Sequence, residues 1–311
     1  MSKIKIGILG LSEGNGHPYS FSSILNGYDK HHFEKSDWKV ILNYLEKRGE
    51  GDFREFDARV THVWCQRKEI AEEIASCCFI STVVDDYHEM LGEVDAVIIA
   101  RDDYENHKKM AEPFLEANIP VMIDKPLTLD YDDLKWFMKY HEKGLLFSCS
   151  GFRFCSELDE VRNHLDEFGD IKFVKASVIN SWDKYGVHML DATLGLWDEP
   201  ILSIGCSTVS GIDTYTLKFE SEKVVQINTL GPELLSFSYE VIGTKKSFHT
   251  DIRDNFSAFK RMLGHFVNQV KTKEAYLSSS SIENSLLTLI SGQEAKRTQS
   301  IVRIKRKHDF K

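Results

Sequence analysis

No stretch of this sequence is long and apolar enough to span a bilayer as a helix. The two longest uncharged runs, Gly14–Tyr28 and Pro200–Ile212, are short and broken by Gly and Ser. The apolar N-terminal run is interrupted by Ser12 and Glu13, which argues against a secretory signal. Cysteine is sparse, 6 in 311 residues (65, 77, 78, 149, 155 and 206). None of them falls in a Cys-x-x-Cys or Cys/His zinc spacing, so no metal is expected. The thiols are expected to be reduced and buried in a cytoplasmic protein. Positive charge is also short: Lys+Arg 39 against Asp+Glu 48 leaves a net −9. The basic footprint that phosphate backbones and anionic lipids demand is missing, which argues against nucleic acid and membrane as partners. The basic stretch Arg303–Lys307 reads as a solvated end. Repeats and low-complexity tracts are absent beyond Ser278–Ser281, and 42% hydrophobic with 28% charged residues excludes disordered, collagenous and coiled-coil classes.

The length suits two domains, and the pattern changes along the chain. In the first half, strand-like runs at Lys3–Leu9, Arg59–Cys65, Cys78–Thr82, Asp95–Arg101, Pro120–Ile123 and Leu145–Cys149 alternate with helical periods. Continuous apolar strands separated by crossover helices predict a doubly wound parallel sheet, the α/β Rossmann type. About thirty residues, roughly 28–58, form an insertion in the first crossover. The second half holds a helix at Glu157–Phe168, a strand at Ile171–Ser181 and a helix near Val187–Trp197. Strands follow at Ile201–Val209, Thr214–Phe219, Val224–Thr229, Leu235–Ile242 and Ser247–Ile252. Short turns between them predict an open, mainly antiparallel sheet in an α+β domain, closed by helices at Phe256–Thr272 and Ile282–Thr298. The expected division is 1–125 for dinucleotide binding and 126–311 for substrate binding and oligomerisation.

Chemistry concentrates at the ends of the predicted strands. The loop Gly10-Leu11-Ser12-Glu13-Gly14-Asn15-Gly16 lies between the first strand and the first helix. Glycines there let the backbone turn tightly and approach a pyrophosphate seated on the helix N-terminus. The second strand ends in Cys65-Gln66-Arg67-Lys68, without the acid that holds an adenosine ribose diol, so both NAD and NADP stay open. Asp124-Lys125-Pro126 follows the fifth strand at the carboxyl edge of the sheet, where Lys125 could hydrogen-bond a substrate hydroxyl. Asp85-Asp86 and Asp102-Asp103 read as helix-start charges, His31-His32 as surface, and Cys77-Cys78 as packing. Tyr185 reads either as a packed aromatic or as an acid in the pocket.

Taken with Asp95–Ala100, His107, Pro120–Thr128 and the stretch Gly186-Val187-His188-Met189-Leu190-Asp191, the pattern resembles the Gfo/Idh/MocA oxidoreductases. The resemblance implies a Rossmann domain followed by an α+β domain. It places Lys125 at the family's Glu-Lys-Pro lysine, which contacts nicotinamide and substrate, with Asp124 in place of the Glu. It makes His188 a substrate contact or acid/base partner and Asp191 a structural acid. Three departures stand out: Lys184 where relatives carry an Asp, Arg101-Asp102 in place of a Thr-Pro beside the nicotinamide, and the stretched Gly loop.

These readings lead to an NAD(P)-dependent oxidoreductase acting on a hydroxyl or keto group of a sugar, cyclitol or nucleotide-sugar. Lys125 and His188 are its catalytic candidates, with Tyr185 as a reserve proton donor. Gly10, Leu11, Ser12, Gly14, Asn15, Gly16, Gln66, Arg67, Ala100, Arg101, Asp124 and Lys125 are the cofactor candidates. Two alternatives are a nucleotide-binding regulatory protein without turnover and an NAD-assisted glycosidase or epimerase with no net redox. An open sheet leaves a face to cover, so a homodimer or homotetramer is expected.

Overall fold

The computed structural model describes residues 3–305. Its chain divides into two units. Among the described residues, the first comprises 3–127, 135–148 and 259–277; the second comprises 128–134, 149–258 and 278–305.

The sheet of the first unit is built from β1 (Ile4–Gly10), β2 (Ala58–Cys65), β3 (Thr82–Val83), β4 (Ala96–Ile99), β5 (Val121–Ile123) and β6 (Leu146–Phe147). All pairs are parallel, in the order β3-β2-β1-β4-β5-β6. The expected doubly wound sheet is therefore present. Its central strands are buried on both faces, and Ala96–Ile99 has no exposed surface at all. Each such Val or Ile contributes about 1.5–3 kcal/mol of apolar burial. The crossovers carry α1 (His17–Asn26), α2 (Lys30–Phe33), α3 (Lys39–Leu45), α4 (Lys68–Cys78) and α5 (His107–Glu116), and α6 (Tyr131–His141) follows β5. Asn26 fastens α1 to the sheet: its amide exchanges hydrogen bonds with Val60 N and O at 3.0 and 2.8 Å and also donates to Cys78 O. The strand expected at Cys78–Thr82 begins later. Helix α4 runs on to Cys78 and stops at Phe79, whose φ of 52° lies in the left-handed region.

In the second unit, the helix expected over 157–168 is broken. Only α7 (Asp159–Asn163) is α-helical, between two single 3₁₀ turns, and His164 leaves helical geometry between them. The sheet holds β7 (Ile171–Val178), β8 (Ile201–Val209), β9 (Ile212–Phe219), β10 (Val224–Thr229), β11 (Phe237–Gly243), β12 (Ser247–Asp251) and β13 (Val302–Arg303). The order is β12-β11-β7-β10-β9-β8-β13, antiparallel except for the parallel pair β7–β10. Thus β7 inserts between β10 and β11, which are consecutive in sequence. Alternation along β9 and β10 turns Tyr215, Leu217, Phe219, Val225 and Ile227 inward, while α8 (Val187–Leu194) packs on β7 and α10 (Ser279–Thr298) on β8. Helix α9 (Asn255–Thr272) precedes α10 and belongs, from Phe259 on, to the first unit. The fully buried Trp182 stacks on Tyr215 with centroids 4.0 Å apart, and its indole N–H donates to Leu289 O at 2.8 Å. In the basic stretch near the end, Arg303 and Lys305 are exposed, as expected of a solvated end, while Arg303 also belongs to β13, paired with β8, and Ile304 between them is buried. Arg306 and Lys307 lie outside the described residues.

Candidate active site

Strand register brings the cofactor candidates to one edge of the first sheet. Gly10 lies opposite Cys65 on β2, Leu9 opposite Ile99 on β4, and Ile99 opposite Ile123 on β5. The residues that follow these strands, Leu11, Gln66, Ala100 and Asp124, therefore emerge side by side. This is where the strand order reverses between β1 and β4, the place ligands occupy in open α/β sheets.

The glycines of the loop divide the work. A Cβ on Gly10 would come within 2.5 Å of Pro18 in α1, so this position must be bare for the helix to pack. Gly14 has φ +75° and nothing within 4 Å of a would-be Cβ, which leaves the backbone open there. Gly16 instead faces Trp38 and Ile41 from the insertion. The loop is held from both sides. Gln66 accepts from Leu11 N–H at 3.1 Å and donates to Leu11 O at 2.5 Å. Arg101, nearly buried, donates to Leu11 O (3.1 Å), Gln66 Oε1 (2.7 Å) and both carboxylate oxygens of Asp103 (2.9 and 2.6 Å). Gln66 and Arg101 thus brace the loop, while Arg67 is exposed at the start of α4. Lys68 is paired with Asp85 at 2.7 Å.

Asp102 is the residue that sequence reasoning misread. It is no helix-start charge: it accepts from the Ser12 hydroxyl at 2.6 Å, and its other oxygen lies 3.6 Å from Lys125 Nζ. Asp103 does head the 3₁₀ turn Tyr104–Asn106, and Asp86 caps the turn that follows it, as expected for such charges. Beneath the loop, Asp124 is buried and accepts from Lys125 N at 2.8 Å and Asn15 Nδ2 at 2.9 Å, with His17 Nδ1 at 2.5 Å. Burial pushes its pKa up. The charges of His17 and Lys125 and the bonds from His17 and Asn15 outweigh that and hold the carboxyl well below the usual range. His17 also stacks on Phe21 at 4.9 Å. Its role was missed although it follows Gly16 directly; a titratable ring on the first residue of α1 was the available signal. His107 spans Arg101 O and Leu127 O, each at 2.9 Å, tying the end of β4 to the Asp-Lys-Pro turn.

The second unit gathers the other candidates. His188 sits on the first turn of α8 with Nδ1 2.7 Å from Ser150 Oγ. Ser150 N–H donates to Asp191 Oδ2 at 2.6 Å, and the Ser285 hydroxyl donates to Oδ1 at 3.0 Å, so Ser150 links His188 and Asp191. Burial raises the Asp191 pKa, partly offset by the charge of Arg153 and these two bonds. The Tyr185 and Phe152 rings lie 5.2 and 4.9 Å from His188. Asp183 and Lys184 are both exposed, so neither replaces the missing acid beside the buried His188. Five cysteines are buried and Cys206 is half-buried, all as free thiols. His31 and His32 are exposed. Among the described residues no helix is long and apolar enough to cross a membrane.

Comparison with known proteins places this architecture. Residues 40–146 match the model of the Gfo/Idh/MocA oxidoreductase family, NAD-binding Rossmann fold. An inositol 2-dehydrogenase of Mycolicibacterium smegmatis is 34% identical over 152 residues, which is 43% of this chain and 44% of the relative's length. The chain therefore aligns with less than half of that relative. The whole fold resembles a myo-inositol 2-dehydrogenase of Lactobacillus plantarum, with TM-score 0.77 and 13% identity over 97% of this chain and 100% of that one. It also resembles a scyllo-inositol dehydrogenase of Lactobacillus casei solved with NAD(H) and scyllo-inositol, with TM-score 0.76 and 15% identity over 97% and 99% of the two chains.

Proposed function

We propose that this chain, a member of the Gfo/Idh/MocA oxidoreductase family, is an NAD(P)-dependent dehydrogenase of a polyhydroxylated ring, a cyclitol or sugar. The observation that carries the reading is the convergence of the Gly10–Gly16 loop, Asp102 and Lys125 at the switch point of the parallel sheet. The loop suits a dinucleotide: Gly14 offers an open backbone ahead of α1, and Arg67 adds an exposed positive charge. The nucleotide sugars remain the finer part of the substrate range, and the inositol dehydrogenases above favour cyclitols.

A bound nicotinamide dinucleotide supplies the hydride acceptor. The protein's own residues hold and deprotonate the carbinol. Lys125, its ammonium fixed by Asp102, donates a hydrogen bond to the carbinol oxygen. In the second unit, His188, with its ring oriented through Nδ1 by Ser150, is the candidate proton acceptor. Asp124 keeps the Lys125 backbone in place, and Tyr185 stands next to His188 as a reserve proton donor for the reverse, reducing direction. Homo-oligomerisation is part of the same proposal.

The test is steady-state reduction of NAD+ and NADP+ by the purified protein across a panel of inositols, aldoses and nucleotide-sugars. Saturable reduction with a cyclitol or sugar supports the reading. Tight dinucleotide binding without turnover would instead identify a regulatory binder. Product formation without net reduction would identify redox-neutral glycoside cleavage or epimerisation.

A further inference from the structure

The insertion between α1 and β2 builds a cavity that the dehydrogenase reading does not use. Its volume is about 480 Å³, and it is lined by Gly27, Tyr28, Lys30, Arg48, Glu50, Phe53 and Arg54. That size accommodates a small organic ligand. Helix α1 has 10 residues, so about 15 Å of helix separates Gly27 from the Gly loop. The cavity is thus distinct from the dinucleotide site.

Its wall is braced. Along the insertion, Trp38 and Ile41 pack on Gly16, the Tyr44 hydroxyl donates to Ser20 Oγ at 2.6 Å, and Arg54 Nε donates to Asn26 O at 2.6 Å. The whole segment is pinned along α1. Arg54 occupies a left-handed backbone position, φ 60°, where glycine costs least, so the chain keeps a guanidinium there against local preference. Gly27 makes room for it: a Cβ there would come within 2.6 Å of Arg54 Nη2. The lining holds Lys30, Arg48 and Arg54 with the carboxylate of Glu50; Lys30 is paired with Glu46 at 2.6 Å and Glu34 at 3.9 Å, which leaves two guanidinium groups against one carboxylate. The Tyr28 and Phe53 rings, 5.4 Å apart, supply aromatic surface.

Fixed guanidinium groups recognise oxyanions through paired hydrogen bonds. Two guanidinium groups facing one carboxylate favour a phosphate monoester, which carries close to two negative charges, over a carboxylate. The rings call for a flat organic group. We propose that this cavity binds a ring-bearing organic phosphate of the size of a nucleoside monophosphate, with Arg48 and Arg54 holding the phosphate and Tyr28 and Phe53 covering the ring.

Isothermal titration of the full-length protein with AMP, phenyl phosphate, adenosine and inorganic phosphate tests this, in the presence of saturating NAD+ and then of saturating NADP+. The expected result is one site for AMP or phenyl phosphate, retained with either dinucleotide, with adenosine and inorganic phosphate at least about tenfold weaker. Arg48→Gln and, separately, Phe53→Ala should each weaken binding about tenfold or more while leaving the thermal unfolding midpoint and dinucleotide affinity unchanged. Two variants at different contacts keep the test valid if one of them misfolds. Absence of binding, displacement by saturating dinucleotide, equal affinity for inorganic phosphate and AMP, or parental affinity in both folded variants overturns the proposal.

Discussion

Lys125 Nζ lies 3.6 Å from Asp102 Oδ2, and the second oxygen of that carboxylate accepts from the Ser12 hydroxyl at 2.6 Å. One side chain after β4 therefore joins the Gly loop to the candidate catalytic lysine. Asp102→Ala leaves a buried ammonium without this partner and a hydroxyl without its acceptor, so it should cost about 1–3 kcal/mol of stability. Its kcat/KM should fall about 10- to 100-fold. Asp102→Asn keeps an acceptor for Ser12 and should recover stability but not activity. Denaturant unfolding and steady-state kinetics on both variants separate the two effects.

Two buried carboxyls give the acid limb of stability opposing contributions. The Asp124 pKa is lower in the folded chain than the unfolded value of about 3.9. Its stabilisation is present above that pH and is lost as the pH falls through the folded pKa. The Asp191 pKa is raised on folding, so its ionisation costs stability as the pH climbs from about 3.9 through its folded pKa. On acidification below neutrality, Asp124→Asn should lose less stability than the parent, and Asp191→Asn should lose more. Unfolding free energies measured from pH 7 down to about pH 3 read these signs directly.

Cofactor choice turns on the end of β2. Gln66 is engaged with Leu11 and Arg101, no carboxylate stands at 65–68, and Arg67 is exposed. The protein should therefore accept a 2′-phosphate, and Arg67→Asp should shift the kcat/KM ratio of NADP+ to NAD+ toward NAD+ by about tenfold or more. Kinetics with both cofactors check this. An unchanged ratio would remove Arg67 from cofactor recognition.

The core of the second unit depends on Trp182, buried against Tyr215 and fitted over Gly186 and Gly292. Trp182→Ala should cost about 3–5 kcal/mol by opening a cavity and removing the indole hydrogen bond to Leu289 O. Gly292→Val should also destabilise, since a Cβ there meets the indole ring. Chemical denaturation compares both with the parent.

Much of the fold was legible because it is local. Apolar runs such as Ala96–Ile99 and the alternation along β9 and β10 marked strands directly, and Gly10–Gly16 and Asp124-Lys125-Pro126 marked the sheet edge. What was missed depends on distance in sequence. Asp102 has a partner 90 residues away in Ser12, so adjacent aspartates before a short helix looked like helix-start charges. Periodicity places β7 on a strand but says nothing of its insertion between β10 and β11. The break at His164 has no Gly or Pro to announce it, because local apolar spacing continues through Leu165 and Phe168. Ser150 gave no signal either, as its importance lies in joining His188 to Asp191.

The most direct measurement of the central claim is kcat/KM of Lys125→Ala beside the parent on the best cyclitol or sugar, with dinucleotide affinity measured in parallel. A loss of about 100-fold or more with dinucleotide binding largely kept is the predicted result. Parental turnover in the folded variant would contradict it.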